Sequence, residues 1–147
     1  MQSTLLLGSL LVVASVALHV LALVLVTRLL TRISALMTRV AQHSVLGVTA
    51  ILSSVVVYLI GIHTLEIWLW AAVYLAIGEF SVYEDALYFS AVTATTLGYG
   101  DIVLSEQWRL LATFEAMGGL VLFGVSTAYL IALMRNVFSD FEERHLS

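Results

Sequence analysis

The stretch Thr95-Thr96-Leu97-Gly98-Tyr99-Gly100-Asp101 has residue types and spacing that could do chemistry. It is polar and glycine-rich, and it lies between two long apolar segments. Non-helical chain at membrane depth must be buried in protein or line a water-filled path, because lipid satisfies no backbone group. Glycines alternating with Leu97 and Tyr99 suit a strand-like backbone whose carbonyls turn to one side. Rings of such carbonyls, contributed by several chains, can replace the water shell of a cation.

A second set of residues is ionisable and falls inside apolar segments: His63, Glu66 and Glu115. Such residues are rare in membranes and are functional candidates by default. Glu115 sits about two turns into the last apolar segment, where it could face a pore or bond the backbone. His63 and Glu66, three positions apart, share a helix face. Histidine is the side chain that titrates near neutrality, so the pair reads as a pH sensor or as structural hydrogen bonding. A Glu/His pair at that spacing is also half of a metal site, but no further ligand stands nearby in sequence. His19 and His43 read as structural. No nucleophile elbow, phosphate loop or dinucleotide fingerprint is present, so the chain is not expected to be an enzyme.

These residues are held by a very apolar chain. Of 147 residues, 61% are hydrophobic and 11% charged, against about 25% charged in soluble domains. There is no cysteine, so disulfides and thiolate metal sites are excluded. A net charge of −4 with a few scattered arginines excludes nucleic-acid binding.

Read in order, segment 1–27 is a spanning helix, since about 20 apolar residues cross a bilayer. It lacks the positive start of a signal peptide and is expected to be retained. Segment 28–44 places Arg28, Arg32 and Arg39 near one face and Leu29, Leu30, Ile33, Leu36, Met37 and Val40 largely on the other. It reads as a cytoplasmic interfacial helix or as a polar connector. Segment 45–78 is the next apolar stretch. One crossing, rather than two, gathers Arg28, Arg32, Arg39, Arg135 and Arg144 on one side against Arg109 on the other, as the positive-inside rule prefers. One long tilted helix, bent near Gly61, is therefore expected. Ser81 and Glu84 form the pattern of a capping box, and Glu84 and Asp85 suit a helix N-terminus. The helix they open, 81–94, is too short to span. It reads as a re-entrant helix whose partially negative end aims at the 95–101 stretch. Segment 108–134 is the last spanning helix, and 135–147 is a short cytoplasmic tail.

Spanning helix, capped half-helix, Thr-Thr-Leu-Gly-Tyr-Gly-Asp and spanning helix together resemble the pore module of the tetrameric potassium channel family, in its bacterial two-helix form without a voltage sensor. The resemblance covers about residues 74–134, including Ala86-Leu87-Tyr88-Phe89-Ser90 before the motif. It implies that Thr96, Leu97, Gly98, Tyr99 and Gly100 are the ion-binding selectivity filter, with Thr96 offering both hydroxyl and carbonyl. It implies that Thr95 supports the filter base and that Asp101 sits behind the mouth, bonded towards the half-helix. The family more often has Val or Ile at Leu97, which implies altered packing rather than lost selectivity. Val92 stands where a carboxylate is frequent, so no carboxylate partner for Asp101 is expected there. Gly118 and Gly119 lie where the family has a bending glycine, and read as a gate hinge or as close helix packing.

The expectation is an all-α membrane protein with three transmembrane helices, a re-entrant pore helix and a filter loop, assembled as a homotetramer around a central pore. Residues 45–134 form the pore domain. The expected function is passive potassium conduction. The alternatives are a non-selective cation channel and a non-conducting protein that keeps the pore fold. No cofactor is expected, and potassium at the filter carbonyls is the only metal. Partners are further copies of the chain, membrane lipid and an unidentified regulatory partner. The location is the inner or plasma membrane, N-terminus outside and C-terminus cytoplasmic. The first helix, absent from the two-helix pore, could pack outside the outer helix and steady it.

Overall fold

The computed structural model describes residues 2–33 and 45–145, with side chains described through residue 137. Four helices follow in order: α1 Gln2–Arg32, α2 Val45–Ala76, α3 Tyr83–Ala94 and α4 Arg109–His145. No strand occurs among the described residues. Three helices, α1, α2 and the 109–137 part of α4, are long and apolar enough to cross a membrane.

The boundaries differ from expectation where nothing in the sequence stops a helix. α1 continues to Arg32, so Arg28 and Arg32 belong to its last turns and not to a separate interfacial segment. Leu29 and Leu30 propagate it, and Arg32 in the final turn complements the negative helix end. The remainder of that expected segment, including Arg39 and His43, lies outside the described residues. α4 likewise runs on through most of the expected tail to His145, since residues 135–145 contain neither glycine nor proline. α2 is one unbroken helix of 32 residues through Gly61, about 48 Å long and therefore longer than a ~30 Å hydrocarbon core.

α2 ends in a Schellman turn. Glu79 N–H bonds the Tyr74 carbonyl and Gly78 N–H the Leu75 carbonyl, both at 3.0 Å, with Gly78 at φ 81°. Only glycine takes that conformation without a side-chain penalty. α3 begins one residue later than the capping pattern requires. Val82, at φ −117° and ψ 130°, is the N-cap, and no side chain caps the helix. Ser81 therefore falls outside the capping position, while Glu84 and Asp85 do occupy the first turn.

α1 lies along α4. Thr4 bonds the Gln107 carbonyl, Gly8 abuts Phe114, Val12 meets Gly118, and Thr27 bonds Tyr129. It touches α2 more lightly. The first helix therefore steadies chiefly the last helix, not the outer one. Gly8 permits this, because a Cβ there would stand 2.7 Å from the Phe114 ring. The core gathers Leu11, Trp70, Ala71, Tyr74, Ala86, Phe89, Leu104 and Leu111 from all four helices and the 95–108 connection. Tyr74 and Phe89 meet edge to face with ring centroids 5.2 Å apart. This contact seats the short α3 against α2.

Candidate functional site

The 95–101 stretch leaves α3 through Thr95, whose hydroxyl turns back to the Ala91 carbonyl at 2.7 Å. The N–H groups of Leu97 and Gly98 both donate to the Val92 carbonyl, at 2.9 and 3.2 Å. Thr96, Gly98 and Gly100 have φ of 59°, 54° and 77°, while the intervening Leu97 and Tyr99 stay outside the positive region. Alternation of hand is a backbone pattern that lets successive carbonyls turn towards a common side. Among the described residues no backbone hydrogen bond ends on the carbonyls of Thr96 to Gly100. At Gly98 and Gly100 a Cβ would meet nothing within 4 Å, so glycine is needed there for its conformation and not for space. Thr96 holds positive φ with a side chain, at a cost on the order of 1–2 kcal/mol. Strain of that kind gathers at functional sites.

The stretch is exposed on the single chain, with Leu97 at 55% and Tyr99 at 68%. Beside it runs a groove of about 350 Å³, lined by Tyr88, Val92, Thr93, Val103 and Thr113 among others. Asp101 accepts a hydrogen bond from the Tyr88 hydroxyl at 2.8 Å, which ties the end of the stretch to α3. That bond, followed by burial and the nearby Asp101 charge, holds the Tyr88 hydroxyl above the usual tyrosine range. Glu79 takes two bonds from Ser105, from its N–H at 2.8 Å and its hydroxyl at 2.6 Å. The turns before α3 and before α4 are thereby latched together. Sequence alone singles out neither Tyr88 nor the Glu79–Ser105 pair, because nothing in it marks which loop residues meet.

Glu115 is 1% exposed and so does not face an open pore. Its carboxylate accepts from Tyr74 at 2.6 Å and Ser90 at 2.5 Å, and Ser90 also reaches the Ile67 carbonyl at 2.9 Å. One side chain thus joins α2, α3 and α4.

The second buried cluster closes a ring. His19 Nδ1 and His63 Nδ1 each face one oxygen of Glu66, at 2.9 and 3.0 Å. The Nε2 atoms of both rings meet Ser126 Oγ at 3.0 Å. His19 is fully buried, and Glu66 and Ser126 are 6% and 7% exposed. His63 also stacks on Phe123, with centroids 4.1 Å apart. His19 and Ser126 are additions to the pair that the sequence suggests. A helical period in α1 does mark His19 as sharing a buried face with Thr4, Gly8, Leu11, Ser15, Ala22 and Val26, but it does not name the partner helix.

At Gly119 a Cβ would collide with the Ala94 carbonyl oxygen and stand 3.1 Å from its carbon. Gly119 is therefore where α4 crosses the C-terminal end of α3 in backbone contact. Gly118 is looser: a Cβ there would lie 3.7 Å from Val12. Helix α4 is unbroken through both.

A helical chain with three apolar spans and a short helix running into an exposed, carbonyl-rich stretch has the arrangement of a channel pore. A family model described as "Ion channel" matches residues 48–136, more than half of the chain. The chain belongs to this ion channel family, and the matched part is of the two-helix potassium-channel pore type. It is accordingly a multi-pass membrane protein. Neither the curated proteins nor the solved structures contain a match to it.

Proposed function

We propose that four copies of the chain surround one axis and conduct potassium passively and selectively through the carbonyls of Thr96, Leu97, Gly98, Tyr99 and Gly100. The observation that carries this reading is the alternating positive φ at Thr96, Gly98 and Gly100, with the carbonyls of the stretch unbonded to other backbone. Unpaired carbonyls are costly unless water, an ion or a partner meets them. A file of them from several chains offers a dehydrated cation oxygen in place of its water. One chain supplies one wall, so encirclement requires copies related by a closed rotation. The exposed Leu97 and Tyr99, with Met117, Leu120 and Val121 on α4, offer apolar surface for that assembly. The groove beside the stretch is a recess into which a neighbouring copy can pack.

In this mechanism potassium sheds water at the outer mouth, moves in single file by knock-on between adjacent sites, and rehydrates in a cavity lined by α4. Thr95, bonded to Ala91, holds the base of the filter, and Asp101, bonded to Tyr88, holds its outer end. Helix α3 is re-entrant, and its C-terminal dipole favours a cation. Glu79, Glu84, Asp85, Asp101 and Glu106 outnumber Arg109 on the outer side and raise the local cation concentration. The N-terminus is then outside, and Arg28, Arg32 and Arg135 are cytoplasmic. Gating by bending at Gly118 is compatible with its looser surroundings, while Gly119 acts in packing.

Reconstituted protein under imposed potassium and sodium gradients tests the proposal. The reversal potential is expected to follow potassium, and Gly98→Ala is expected to abolish the flux. Comparable sodium and potassium permeability would establish the non-selective channel instead. Absence of any monovalent flux would establish a non-conducting pore fold.

A further inference from the structure

We propose that His19, His63 and Glu66 form a binding site for a divalent transition-metal ion of the zinc class, enclosed between α1, α2 and α4. The site is independent of the conduction reading, since it lies among buried side chains away from the filter stretch. Each of the three residues offers a ligand atom, and these atoms all lie within 4.8 Å of one another. Tetrahedral zinc ligands at their usual bond lengths stand about 3.4 Å apart. The Nδ1 atoms are 2.9 and 3.0 Å from the two Glu66 oxygens, so the three side chains already converge and an ion requires them to readjust around it. Two imidazole nitrogens and one carboxylate are ligands for zinc, cobalt or nickel rather than for the hard cations that prefer all-oxygen sites.

The outer contacts match this use. Metal-bound histidine commonly donates its other ring N–H to an oxygen that orients it. Here both Nε2 atoms meet one oxygen, Ser126 Oγ, at 3.0 Å. With the ion on both Nδ1 atoms, each ring is neutral and carries its proton on Nε2, and Ser126 accepts from both. The Nδ1 protons leave to solvent as the ion binds. His19 is fully buried and Glu66 nearly so, which holds the ligands in place and excludes competing water.

Charge and space point the same way. Glu66 and Glu115 both line one cavity of about 20 Å³, together with His63, Ser15, Trp70 and Gly118, and no arginine lines it. Glu66 is the acidic ligand of the three, and a dication would offset its charge in these apolar surroundings. A cavity of that size holds about one water. Of the three ligands His63 and Glu66, but not His19, line that cavity.

The test uses full-length, tag-free protein in detergent, loaded with cobalt(II) alone and then dialysed. One cobalt per chain, with the intense visible bands of a tetrahedral ion, is the expected result, and zinc should displace it. His19→Gln should weaken binding by about a hundredfold or more, and Ser126→Ala, which removes only the orienting oxygen, by about tenfold to a hundredfold. Wild-type protein that retains no cobalt above the His19→Gln level, or that shows only octahedral bands, would overturn the site and leave a ring of hydrogen bonds. The wild-type stoichiometry and spectrum decide this even where a variant fails to fold.

Discussion

Two polar regions of this chain handle their polarity in opposite ways. In the 95–101 stretch the polar groups of interest are the backbone carbonyls of Thr96 to Gly100, which accept no backbone bonds among the described residues. In the ring of His19, Glu66, His63 and Ser126 they belong to side chains, face inward, and are all bonded. No buried side-chain nitrogen or oxygen among the described residues lacks a partner. On the proposed function, the first region has its interactions still to make, with ions and other copies. In the second the side chains meet one another within one chain and hold helices in register, with or without an ion. Damage to the first should therefore change transport with little effect on the folded chain. Damage to the second should change stability whether or not ions flow.

The largest expected effect is at the centre of the ring. Glu66→Ala leaves two buried imidazole nitrogens without their partner, at about 1–3 kcal/mol each. Thermal unfolding in detergent measures it, and an unchanged midpoint would erase the contrast between the regions. Gly119→Ala comes next. The added methyl meets the Ala94 backbone, which cannot rotate away, and overpacking costs about 1–3 kcal/mol. The same measurement, compared with Gly124→Ala, where a Cβ meets nothing within 4 Å, separates close packing from loss of glycine as such. Gly98→Ala has a smaller expected effect on the single chain, about 1–2 kcal/mol from the positive φ, beside a complete loss of potassium flux. A variant as unstable as Glu66→Ala would place Gly98 with the buried region.

The smallest effect is at Tyr88. Tyr88→Phe frees Asp101 and should loosen the outer end of the stretch without unfolding the protein. The pH dependence has a definite sign. The Tyr88 hydroxyl is raised by its bond to Asp101, so the protonated form is favoured in the folded state. Its contribution is complete below the ordinary tyrosine value near ~10 and is lost as pH rises through the higher folded value. Between neutrality and mild alkali, wild type and Tyr88→Phe should respond to pH alike. Divergence between them in that range would show that Asp101 is held by something else.

The non-helical 95–101 stretch is readable in the sequence because its signals are local. Alternating glycines, a short apolar helix before them and long apolar segments on either side all lie within adjacent residues. Other local rules are overridden. Ser81 and Glu84 have the spacing of a capping box, yet the chain turns extended at Val82 and the helix starts after it. Arg28 and Arg32 have the spacing of an interfacial helix, yet the preceding helix simply continues through them. In both cases a pattern identifies the kind of element and misplaces its edge.

Composition and hydropathy by themselves determined that the chain lies in a membrane, where its three long helices run and where its backbone must leave helical geometry. Those properties depend on neighbouring residues and on the solvent each side chain needs. Only the tertiary structure decided that the first helix lies along the last, that Gly119 is a point of backbone contact, and that His19 completes the pair formed by His63 and Glu66. His19 and Glu66 are 47 positions apart, and His19 and Ser126 are 107 apart. Three helices of mostly interchangeable apolar residues can slide and rotate past one another at little cost in hydrophobic burial. The few polar side chains among them, which cannot be left unpaired, select one register.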